Sequence, residues 1–146
     1  MAETLGMLCD KLTIVKLKQY HNEDAERAKS LDTQSSQLQE EIDDYLNNAI
    51  SGNIPIQKLT FSANKVYKKE GNEIQDVLGG IGAIFSQLAD VNCKLWHEVD
   101  KGYNIENIPN EEKDQLVKSL AVLNLQRNKC IDEIDKLLQE KILSIR

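Results

Sequence analysis

From Met7 to Ser51 the chain contains no glycine and no proline, and apolar residues recur there in steps of four and three. The stepping runs through Asp10, Ile14, Leu17, His21, Asp24, Ala28, Leu31, Ser35, Leu38, Ile42, Tyr45 and Ala49. Such a repeat lays its apolar members on one face of a helix, and that face needs another element against it. A second stripe, Leu5, Leu8, Leu12 and Val15, runs beside its start. The pattern predicts one helix over about 3–51, roughly 70 Å long at 1.5 Å per residue, with Gly52 and Pro55 as its stop. A break near Ser30–Ser36, with Asp32 or Thr33 as N-cap, is the alternative.

Beyond it, residues 52–72 read as a connection holding one short helix, about 58–69, ended by Gly71. Asn72 is placed to cap a helix over 73–103, with Ile74, Leu78, Ile81, Phe85, Leu88, Asn92, Leu95 and Val99 on its stripe. Asn104 to Pro109 is a turn. Asn110 begins a last helix, to about 143, whose first-turn Glu111 and Glu112 suit the positive end of the helix dipole. Its stripe is Leu116, Leu120, Leu123, Arg127, Cys130, Ile134 and Leu137. No segment alternates with period two, so no strand is expected. The chain therefore reads as one all-α domain, 1–146, an antiparallel bundle of three long helices plus one short connecting helix.

In that arrangement the start of a continuous first helix overhangs its neighbours and leaves an apolar stripe uncovered. A homodimer through antiparallel N-terminal arms would cover it. Should the helix break and fold back, the overhang disappears, and with it this reason for a dimer.

Charge excludes other partners. Acidic residues outnumber basic ones by 24 to 18, and the densest basic patch is only Lys65, Lys68 and Lys69. That is no footprint for nucleic acid. No apolar run would span a bilayer and no secretory signal is visible, so no membrane is expected. Cys9, Cys93 and Cys130 are odd in number and dispersed, as reduced thiols of a cytoplasmic protein would be. Nothing calls for a cofactor.

The chemistry-bearing signal is a set of polar residues on or beside apolar stripes: Asp10, His21, Asn92, Asn124 and Arg127. Burying a polar group costs a few kcal/mol unless it is paired. These residues therefore bond one another and fix helix register, or they line a pocket. In a pocket, Arg127 would clamp a small anion while His21 or His97 served as acid, base or ligand.

A metal is the third option. A weak internal repeat aligns residues 15–21 with 91–97 and yields His21-x-x-Asp24 and His97-x-x-Asp100, four potential ligands on two helix faces. The pairs Glu23/Glu26 and Glu40/Asp43 look like the Mg²⁺ carboxylates of all-α nucleotide pyrophosphohydrolases, but on one unbroken helix they cannot converge. Gly79-Gly80-Ile81-Gly82 lacks the strand and spacing of a phosphate loop and reads as a close approach or kink.

Three words, LCDKLTIVKLK (8–18), NCKLWHE (92–98) and LNLQRN (123–128), resemble an uncharacterised family of small bacterial helical proteins, a domain-of-unknown-function group. The resemblance spans all three long helices and highlights Asp10, Lys11, Asn92, Trp96, His97, Asn124, Arg127 and Asn128. It departs after His97, where Glu98 follows directly and Val99 precedes Asp100. It implies bacterial origin and no established reaction. The expected function is a self-associating helical-bundle interaction or structural module. The alternative is an enzyme or small-ligand protein built on Asp10, Asn92, Trp96, His97, Asn124, Arg127 and Asn128.

Overall fold

The computed structural model describes residues 2–61 and 77–145. It is all helical there: α1 Leu5–His21, α2 Ala25–Ser51, α3 Ile81–Tyr103 and α4 Asn110–Ile145, with single 3₁₀ turns at Ile56–Lys58 and Ile105–Asn107. An all-α bundle is thus what the periodicity indicated, but the described residues form four long helices, the first of those expected being split in two.

The difference lies at residues 22–24. The continuous helix over 3–51 is not formed, and the break falls at Asn22–Asp24 rather than at 30–36. Asn22 leaves helical geometry at φ −76°, ψ 135°, and Asp24 is the N-cap of α2, its carboxylate accepting from the Glu26 amide. The Asn22 side chain locks the turn from both directions. Its amide donates to the Asp24 carbonyl at 2.7 Å, and its oxygen accepts the Asp24 amide at 3.3 Å. Short Asx side chains bond nearby backbone and so compete with the helix, ending it without glycine or proline. The heptad count passes through His21, Asp24 and Ala28, its least apolar stretch, where the chain reverses. α2 then runs back along α1, with Gln19 donating to Asp32 at 2.8 Å, and turns Leu31, Ser35, Leu38, Tyr45 and Ala49 inward. No arm overhangs.

α2 ends at Gly52, whose φ of 86° is the left-handed conformation that glycine adopts without strain. The following 3₁₀ turn is held to α4 by Gln139, which donates to the Ile56 carbonyl at 3.0 Å. Of the short helix expected over 58–69, only Lys58 is helical in 58–61, and the rest lies outside the described residues. α3 starts at Ile81 rather than 73: Gly79 sits at φ 114° and Gly80 is the N-cap, so the glycine cluster marks a helix start, not a kink. Expectations for Ile74 and the Asn72 cap also fall outside the described residues. α4 begins at Asn110 as expected and extends to Ile145.

Asp10 and Thr13 face Asn92, and His21 faces Trp96, so α1 and α3 run the same way. Gly6 faces Asp135 and Asp10 faces Arg127, so α4 opposes them. The topology is up-down-up-down. α1 touches each of the other three helices. It is accordingly apolar or small on several sides, with Leu5, Gly6, Leu8, Cys9, Thr13 and Val15 all buried. Leu8, Ile84, Leu88, Cys130 and Ile134 form the centre of the core.

Two close approaches fix α1 against α4. A Cβ on Gly6 would lie 2.5 Å from the Ile131 carbonyl oxygen, so only glycine fits there. The Gly6 amide donates to Asp135 at 2.7 Å, and the N-cap Thr4 hydroxyl also bonds that carboxylate. Asp135 thereby satisfies donors that the first turn of a helix leaves unpaired. Burial outweighs these bonds and raises the Asp135 carboxyl to about 6.

Candidate functional site

Midway along the bundle α1, α3 and α4 contribute to one polar knot. Asp10, 4% exposed, is its centre. Arg127 grips the carboxylate with two bonds, Nε to Oδ1 at 2.8 Å and Nη2 to Oδ2 at 2.5 Å. The Asn92 amide nitrogen donates to Asp10 Oδ1 at 2.9 Å and to the Thr13 hydroxyl at 2.6 Å, while Thr13 donates to the Asp10 carbonyl at 2.7 Å. The fork-shaped arginine–carboxylate pair is the strong form of this bond. Its bond to Asp10 holds the guanidinium firmly protonated against the opposing pull of burial.

The knot changes what Arg127 can do. Expected as a free clamp for a small anion, it is neutralised by Asp10 through two parallel bonds. Neither Nε nor the engaged Nη2 bond is available to an incoming group. Nη1 makes no bond among the described residues, and Arg127 also borders the adjoining cleft.

That cleft, of about 600 Å³, lies between α1, α3 and α4 and begins at the knot. Ile14 and Leu17 wall it from α1, Leu95, Trp96 and Val99 from α3, and Leu120 from α4. The knot residues Asn92 and Arg127 border it on one side and Asp100 and Tyr103 on the other, while Asn124, expected on an apolar stripe, is exposed at its rim. The helical spacing of 92, 95, 96, 99, 100 and 103 explains why one face of α3 supplies half the lining. The Asn124 amide and the Asp100 carboxylate have no partner among the described residues.

Of the other expected site residues, Trp96 stacks flat on His21, ring centres 4.9 Å apart and planes 8° from parallel. His97 meets His21 edge-on at 6.1 Å. Both imidazoles are exposed and outside the knot. The four-ligand metal set is not assembled: Asp24 is occupied as the α2 cap and Asp100 faces the cleft. Among the described residues no three His, Cys, Asp or Glu side chains converge. Asn128 is half-buried and belongs to neither knot nor cleft wall, and Lys11 pairs with Glu3 at the surface. Glu26, Glu40 and Asp43 lie along one uninterrupted α2, Glu23 precedes it, and all four are exposed.

Sequence reading missed Thr13 and the whole Thr4–Gly6–Asp135 latch. Asp135 sits in register with Ile131, Leu138 and Ile142, all buried, and a polar residue on that second stripe was the available signal. Burial beside Asp135 and Asp10 pushes the Cys9 thiol up to about 12, so it is an inert core group.

Compared with known protein families, with curated proteins and with solved structures, the chain gives no match.

Proposed function

We propose that this chain is a non-catalytic binding module whose α1–α3–α4 cleft holds a small molecule with an apolar body. The observation that carries this reading is the division of labour around Arg127. The polar side chains that chemistry would need are spent on one another in the knot, and a walled apolar cleft lies directly beside them. Such a site holds a ligand well and offers no poised base or nucleophile.

Trp96, the only tryptophan, lies in the wall, so its emission reports occupancy. Titration with a neutral aryl alcohol such as 4-phenylbutanol should give a saturable shift. Ala121→Phe, which fills the cleft from α4, should abolish that shift without altering the helical circular dichroism. A non-saturable response, or one that persists in Ala121→Phe, overturns the reading.

Self-association is the second reading and now rests on a different surface. Val99, Tyr103, Ile105 and Val117, near the α3–α4 connection, are apolar and exposed. Light scattering at tens of micromolar tests it, a monomer being the negative result. Membership of the small bacterial helical family, and a cytoplasmic location, are part of the same proposal. They are supported by the meeting of Asp10, Asn92 and Arg127, one from each of the three words, and by three free cysteines. No described helix is long and apolar enough to cross a membrane.

A further inference from the structure

Resting on the cleft reading above, we infer that the preferred ligand is an organic cation: an ammonium group on an apolar, preferably aromatic, body. Charge balance carries the step. The cleft and its knot hold one arginine against two aspartates, Asp10 and Asp100, and Asp10 already matches Arg127. The carboxylate of Asp100 is left over, unpaired among the described residues and at the cleft mouth. An anion entering would meet a neutralised guanidinium and an unmatched carboxylate, whereas an ammonium finds its counter-charge.

The aromatic residues agree with this sign. Tyr103 lies one helical turn from Asp100, Trp96 one turn on the other side, and both border the cleft. Ring faces attract a cation within about 6 Å, and tryptophan attracts it best. Trp96, stacked on His21, is part of the cleft wall.

The approach is acidic as well. Glu98, Glu111 and Glu112 border an adjoining bay of about 1000 Å³ that shares Asp100, and the bay's one lysine, Lys101, is tied to Glu98. A mouth lined by one sign of charge concentrates the opposite sign. The exposed amide of Asn124 at the cleft rim offers a hydrogen-bond donor and suits a neutral acceptor such as a carbonyl or ether on the ligand body.

Three probes sharing one apolar body settle the sign: 4-phenylbutylamine, 4-phenylbutanol and 4-phenylbutyrate, titrated by calorimetry and Trp96 emission at low salt. The amine is expected to bind about tenfold more tightly than the alcohol, the scale of one partly screened charge pair, and the carboxylate least well. Asp100→Asn should weaken the amine about tenfold and so bring amine and alcohol affinities together. Because Asp100 is exposed and makes no side-chain bond, that variant keeps the fold. Saturable binding without charge preference, or preference for the carboxylate, overturns the inference and leaves the cleft reading standing. If the alcohol and the other two all fail to bind saturably at millimolar concentration, the cleft reading falls and this inference with it.

Discussion

Asp10 illustrates what one buried charge demands of its neighbours. Its Coulombic partner comes from a helix 117 residues away, and its remaining bonds come from α3 and from its own helix. Removing one partner of a buried pair leaves the other charge stranded. Arg127→Met should therefore destabilise the chain by about 3 kcal/mol in urea unfolding, and Asp10→Asn combined with it should recover part of that loss. Additive losses would show that the two residues do not act as a pair. Asp135 brings a pH dependence of its own. Its carboxyl is raised from 3.8 to about 6, so the folded chain holds a proton that the unfolded chain releases between those values. Stability contributed at this position is greatest below about pH 4 and is lost as pH rises through 6, a change of about 3 kcal/mol. Urea midpoints of wild type and Asp135→Asn should diverge by that amount between pH 4 and 7, with the variant gaining at the upper end. A pH-independent difference would contradict the assignment. Both aspartates lie on apolar stripes, yet only Asp10 was legible from sequence. Asp135 hides on a second stripe that the first one masks, and its partners, a glycine amide and an N-cap, carry no side-chain signal of their own.

At the scale of elements, the stop of α2 at Gly52 was legible, and so was the start of α4. The reversal at Asn22–Asp24 was not, because a heptad repeat states which residues face inward and not whether the axis turns between them. The stripe continues in phase on either side of the turn, from Leu17 to Leu31. Only Asx capping separates a hairpin from a rod. Replacing Asn22, Glu23 and Asp24 together by alanine removes the cap, worth about 1 kcal/mol, and supplies strong helix formers. The expected product is a continuous helix that exchanges α1 between two copies, a domain-swapped dimer visible by native mass spectrometry. A variant that stays monomeric with unchanged mobility would show that packing, rather than the turn, decides the reversal.

For the whole molecule the governing fact is that α1, the shortest of the four long helices, is the one all the others contact. Opening it requires opening everything, whereas α2 presents most of its surface to water. Hydrogen exchange should therefore be slowest in α1, near the global unfolding limit, and faster in the middle of α2. Equal protection in the two helices would refute that hierarchy. The same centrality has a consequence for synthesis. The residues that secure α1 are Arg127 and Asp135, and Gly6 is 129 residues from its partner. On a ribosome α1 emerges long before α4, and Leu5, Leu8 and Val15 wait without their α4 partners until that helix has been made. Non-local pairings of that span are slow to close and expose apolar surface meanwhile. Emergence of α4, rather than of the helices that precede it, is the event that closes the bundle around α1.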